Sequence, residues 1–89
     1  MTDTELLVRV KSLNDYGEND YADDKLTEAI IWAKGHLKRA GLKDEVINSD
    51  ECVGIIAHMV DDFNKRRGVS QFVRDSIAQI IMTGGGTGV

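Results

Sequence analysis

Proline does not occur in this sequence, and cysteine occurs once, at Cys52. A single cysteine cannot form an intrachain disulfide, which excludes the small secreted scaffolds built on cross-links and fits a reducing compartment. With no proline to interrupt a helix, and with valine and isoleucine recurring at helical rather than alternating spacing, strands are hard to place. Basic charge is also in deficit: eleven Lys and Arg stand against fifteen Asp and Glu, a formal net charge of -4. A phosphate-binding surface would need local concentration against that field, so tight duplex binding is disfavoured. The same acidity suits DNA that must slide past without sticking. No stretch approaches membrane-spanning length, and the start, Met1-Thr2-Asp3-Thr4-Glu5, lacks the cationic region and apolar run of a signal peptide. The expectation is a soluble, unexported product with no membrane association.

What is present is enough apolar material for one core. Apolar residues make up 42% of 89 residues and charged ones 29%, a folding composition for one domain that partner subunits often complete by further burial. The fold class predicted is all-α: a four-helix domain over residues 1–83 and a flexible glycine-rich tail over 84–89. Thr4 is the expected N-cap of a short first helix with Leu6, Leu7, Val10 and Leu13 on one face. Residues 14–20 read as a polar loop. The clearest signal runs from Tyr21 to Ala40, where Ala22, Leu26, Ala29, Ile30, Ala33, Leu37 and Ala40 share a seam, acids lead and bases trail, and Gly41-Leu42 forms the stop. Residues 43–47 are ambiguous between a turn of helix and an extended linker. Asn48-Ser49-Asp50-Glu51 offers a capping box for a third helix with Cys52, Val53, Ile56, Met59, Val60 and Phe63 inward, ending at Lys65-Arg66-Arg67-Gly68. Ser70 can cap a fourth helix with Val73, Ile77, Ile80 and Ile81 on one side, Arg74 and Asp75 exposed, and an end before Thr83.

Chemistry finds little purchase. His36, Cys52 and His58 lack the paired spacing of zinc ligands, so no metal and no cofactor is expected. His58 and Asp62, one turn apart, read as a surface hydrogen bond. Cys52 falls on an apolar face, where free cysteine behaves as a small hydrophobe rather than a nucleophile. Asp23-Asp24 and Asp61-Asp62 read as solvated faces, because adjacent helical residues diverge. Gly84-Gly85-Gly86 follows no strand and precedes no lysine, which excludes a phosphate loop. No enzyme is predicted.

Two features concern partners. Gly68 to Arg74 imitates the turn and recognition helix of a helix-turn-helix, making a small DNA-binding regulator the alternative reading, although Asn64 stands where that motif wants a small residue. Trp32 lies off the main seam and suits either an interface centre or a peripheral core. Ile31 and Ile55 add apolar area outside the minimal seams, which suggests that a neighbour covers the rest.

Three segments carry a resemblance: Leu6-Leu7-Val8-Arg9-Val10-Lys11-Ser12-Leu13; then Asp23-Asp24-Lys25-Leu26-Thr27-Glu28-Ala29-Ile30-Ile31-Trp32-Ala33; then Ile55-Ile56-Ala57-His58-Met59-Val60-Asp61-Asp62-Phe63-Asn64-Lys65-Arg66. In length and order they resemble the small head-tail connector, or adaptor, proteins of tailed bacteriophages and prophages, over roughly residues 4–82. Phe63 takes the family's aromatic place, where tyrosine is common, and Arg66 its arginine place; the proline-containing loop before the last helix is missing. The resemblance implies a structural virion protein made in the bacterial host cytoplasm. Its subunits would form a ring, dodecameric when assembled, that docks on the portal protein, joins it to downstream head-completion or tail proteins, and passes DNA without reading it. The candidate subunit or portal contacts are Ile31, Trp32, Arg66, Arg67, Thr83, Gly84 and Val89, with the segment from Thr83 onward as the docking strand.

Overall fold

The computed structural model describes residues 2–17 and 20–86. Five α-helices and no strands are found among them, so the all-α expectation holds; beside the four helices expected, a fifth of one turn occupies the segment 43–47 left open between a turn of helix and a linker. They are α1 (Asp3–Leu13), α2 (Asp23–Arg39), the single turn α3 (Asp44–Ile47), α4 (Val53–Asn64) and α5 (Gln71–Ile80). A 3-10 turn, Asp50–Cys52, leads into α4, and a π-helical turn, Ile81–Gly85, prolongs α5.

The most apolar helix, α4, takes the centre because it has little polar surface to give to water: Val53, Ile55, Ile56, Ala57, Met59 and Val60 are all buried. Against it lie Leu6 and Val10 of α1, the seam Leu26, Ala29, Ile30, Ala33 and Leu37 of α2, and Val73, Ile77 and Ile80 of α5. Ala22 and Ala40, expected on the α2 seam, are instead its exposed flanking caps, because the helix is two residues shorter at the start and one at the end. Ile81 is partly exposed for a similar reason, since the π turn rotates it off the α5 face.

Helix ends carry the other corrections. The N-cap of α1 is Thr2, not Thr4: its Oγ1 accepts the Glu5 backbone N–H at 3.1 Å and donates to the Glu5 carboxylate at 3.0 Å. Thr2 stands three residues before a glutamate, the spacing that lets both groups reach back, and Thr4 does not. No capping box forms at residues 48–51; the Ser49 hydroxyl donates to the Val46 carbonyl at 2.6 Å, spent on closing α3 rather than opening α4. Ser70 does cap α5, accepting from the Val73 N–H at 3.3 Å.

Three helices end with the same wrapped-back pair of amides. After α2, Gly41 at φ 104° lets the Leu42 N–H reach the Leu37 carbonyl at 3.2 Å, and Leu42 is buried beneath. After α1 the left-handed residue is Asp15 and after α4 it is Arg66, both at φ 56°, sending the Tyr16 N–H to Lys11 O at 2.9 Å and the Arg67 N–H to Asp62 O at 2.8 Å. The stop assigned to Gly68 therefore falls at Arg66, and a side-chain-bearing residue bears the strain. Gly41→Ala should lose about 1 kcal/mol, and Arg66→Gly should gain about 0.5 kcal/mol, both read from urea midpoints.

The glycine tail is partly ordered by its own lack of side chains. A Cβ on Gly85 would sit 2.4 Å from the Ile80 side chain, and that close approach lets its carbonyl accept the Lys43 N–H at 2.9 Å. Gly86 forms an isolated antiparallel bridge with Leu42. The domain boundary expected after residue 83 thus cuts through the π turn, and the rest of the proposed tail, residues 87–89, lies outside the described residues.

Candidate functional site

Two features stand apart from routine core and surface. The first is a polar cluster where α4 ends. Asp62 is 3% exposed, and its Oδ1 pairs with the Arg67 guanidinium at 3.1 Å. The same guanidinium bonds Asp61 Oδ2 at 3.0 Å, Lys65 adds a contact at 3.1 Å, and the Tyr16 hydroxyl donates to Asp61 Oδ1 at 2.7 Å. Two residues earlier in the loop, Asn14 donates to the Ala57 carbonyl at 2.8 Å, so the segment after α1 is stitched to α4. His58 Nε2 lies 3.5 Å from Asp62 Oδ2, too far for a good bond, and that oxygen has no hydrogen-bond partner among the described residues. Asp61 and Asp62 are therefore not the solvated face their adjacency suggested, and His58–Asp62 is not a surface pair. Arg67 folds back over the turn at Arg66 and makes their burial tolerable.

The electrostatics follow from that geometry. Burial acts to raise the Asp61 carboxyl, but the Tyr16 hydroxyl, Lys65 and Arg67 outweigh it and hold the group below the usual carboxylate range. Burial and the bond to Asp61 push the Tyr16 phenol up to about 12, and burial pushes the Cys52 thiol up to about 11. Both raised groups stabilise the fold fully at pH values below their unfolded pKa and lose that contribution as pH rises through the folded value. Stability should therefore fall from about pH 9 upward, first through Cys52 and then through Tyr16. Asp61 works in the opposite sense, its contribution present above about pH 4 and lost as pH falls through its lowered value. Tyr16→Phe should cost about 1.5 kcal/mol at neutral pH, with the gap to the parent protein narrowing above pH 10 in urea titrations.

The second feature is a groove of about 400 Å³ between the start of α4 and one flank of α5, lined by Glu51, Gly54, Ile55, Phe72, Ser76, Gln79, Ile80 and Thr83. His58 rests on Phe72 at one end, ring centroids 5.0 Å apart. Gly54 opens the floor, Phe72 remains 55% exposed, and Ile55 and Ile80 form the apolar base. The cluster can bind through charge and the groove through shape; neither presents a nucleophile held against a base. Among the described residues no group of three or more His, Cys, Asp and Glu side chains could hold a metal ion, and no helix is long and apolar enough to cross a membrane.

The residues singled out from the sequence scatter over this frame. Ile31 is 65% exposed on the outer side of α2. Trp32 takes the peripheral-core place of its two alternatives, packed against Phe63 with ring centroids 5.1 Å apart and planes tilted by 39°, and near His36 at 6.0 Å. Arg66 is exposed at the turn, whereas Arg67 is engaged by Asp61 and Asp62. Thr83 lines the groove and donates to the Ile80 carbonyl at 3.0 Å; Gly84 lies in the π turn at φ 99°. Val89 lies outside the described residues. In the helix-turn-helix imitation, Gln71 and Arg74 are exposed, but the Gln71 amide is taken by Asp75 at 2.7 Å. The sequence hinted at the polar cluster only through two acids followed by Lys65 and Arg67; Tyr16 carried no local sign of it.

Comparison with protein-family models, curated proteins and solved structures finds no match to this chain.

Proposed function

We propose that this protein is a structural adaptor that works by assembly: copies form a ring between the portal of a tailed bacteriophage or prophage and its tail components, extending the channel through which DNA passes. The observation that carries the reading is the apolar surface left over once the core is closed. Val8, Leu13, Ile31, Phe72 and Met82 are 60%, 57%, 65%, 55% and 86% exposed, on three helices and the π turn of a domain too small to afford much idle apolar surface. The resemblance of the α1, α2 and α4 segments to head-tail connectors supplies the context, and the net charge of -4 suits a wall past which DNA moves. Ring size and residence in the virion belong to the same proposal.

Light scattering on the purified protein, alone and with its cognate portal, tests the reading. Rings or portal-bound complexes are expected; a strict monomer that ignores the portal overturns it. A gel-shift titration covers the regulator alternative, since duplex binding with a steep salt slope would favour Gly68 to Arg74 as a reading head.

A further inference from the structure

We propose that the groove between α4 and α5 receives the outer face of α2 from a second copy, with Ile31 seated beside Phe72, Gly35 crossing Gly54, and Arg39 paired with Glu51. The inference rests on the ring reading and names the contact that would build the ring.

Two mid-helix glycines point to it first. A Cβ at Gly54 would meet nothing within 4 Å, and one at Gly35 would meet only the Arg39 guanidinium at 3.8 Å. Neither has a positive φ. Glycine is a poor helix former, and nothing inside this molecule requires it at either place. Close approach by another backbone is the remaining use of a missing side chain on an exposed helix.

Each glycine sits in complementary company. Ile31, Gly35 and Arg39 recur every four residues and form one stripe, apolar at one end and cationic at the other. Gly54 lies in a groove whose apolar end is Phe72 and whose rim carries Glu51. Arg39 and Glu51 are both exposed, and neither has an ion-pair partner among the described residues. The lengths agree as well: eight residues of helix carry Arg39 about 12 Å beyond Ile31, and the eight residues from Phe72 to Ile80 carry the groove wall about 12 Å along α5. The stripe and the groove share no residue, so one copy presents both, and the contact is heterologous unless two copies engage each other reciprocally about a two-fold axis. Repeated copy to copy it propagates, and it closes into a ring when the rotation per step permits.

Sedimentation velocity and native mass spectrometry over a wide concentration range, with and without the cognate portal, provide the test. Arg39→Glu and Glu51→Arg should each weaken assembly at least tenfold, and combining them should restore it by exchanging the charges. Gly54→Leu should fill the groove and abolish assembly while leaving helicity and the urea midpoint intact or improved. A Gly35→Cys, Gly54→Cys variant should oxidise to a ladder of covalent oligomers rather than dimers alone; buried Cys52, with its thiol pushed up, should stay out of that chemistry. If copies assemble but ignore both charge reversals and Gly54→Leu, this interface is wrong and the ring reading stands. If the parent protein associates with neither itself nor the portal, both fall. A portal that binds single copies through an open groove, with no contact between copies, assigns the groove to the portal and overturns the proposal.

Discussion

Leu37→Ala should remove about 3 to 4 kcal/mol of stability, read as a fall in the urea midpoint with an unchanged slope. A domain of this size commands about 5 to 13 kcal/mol in all, so the variant should sit close to unfolding at elevated temperature. Leu37 is 0% exposed, and truncation there loses both the transfer energy of the side chain and the contacts around the space it leaves. It also stands where two devices meet, because its carbonyl accepts the Leu42 amide that closes α2. Packing and cap should weaken together. The control is Ile31→Ala on the same helix: 65% exposed, it should change stability by less than about 0.5 kcal/mol. A large effect at Ile31 in the monomer would mean that α2 is turned differently from the arrangement described.

Arg67→Met should cost about 2 kcal/mol, the second large effect. The guanidinium is half exposed, which weakens its pairing through solvent screening. Its removal nevertheless leaves Asp62 buried with one oxygen already unpartnered and the other newly so. The sign that identifies this cause comes from a second substitution: Asp62→Asn added to Arg67→Met should recover part of the loss, because the penalty lies in a buried uncompensated charge rather than in a missing attraction. Additive losses across the pair would instead place the effect in packing of the arginine stem.

How much of this was legible beforehand depended on how local each cause is. The α2 seam and its stop at Gly41 could be read because the pattern, the dipole-matched charges and the one left-handed glycine lie within a single stretch. Ser70 was legible for the same reason. Arg66 was not: nothing in its side chain announces a positive φ, and Gly68 two residues on offered a more favourable stop that the chain does not use. The polar cluster was hidden by distance, since Tyr16 and Asp61 are 45 residues apart and meet only after α1 has packed on α4. Asp62 looked solvated because a carboxylate usually is, and its burial depends on an arginine five residues later turning back. Of the candidate contacts, Ile31 is exposed as its place off the seam suggested, while Trp32 is occupied by Phe63. The groove had no sequence signature, because Gly54 and Phe72 lie on different helices and form it only together.

The bond from the Lys43 amide to the Gly85 carbonyl gives the molecule a built-in gauge. That proton belongs to the connection after α2, yet its acceptor comes from the last turn before residue 86. Its exchange with deuterated solvent therefore times each parting of the chain's final segment from its seat, independently of the helices on either side. If a portal or a neighbouring copy draws that segment away, the Lys43 signal should speed up while the amides inside α4 keep their pace.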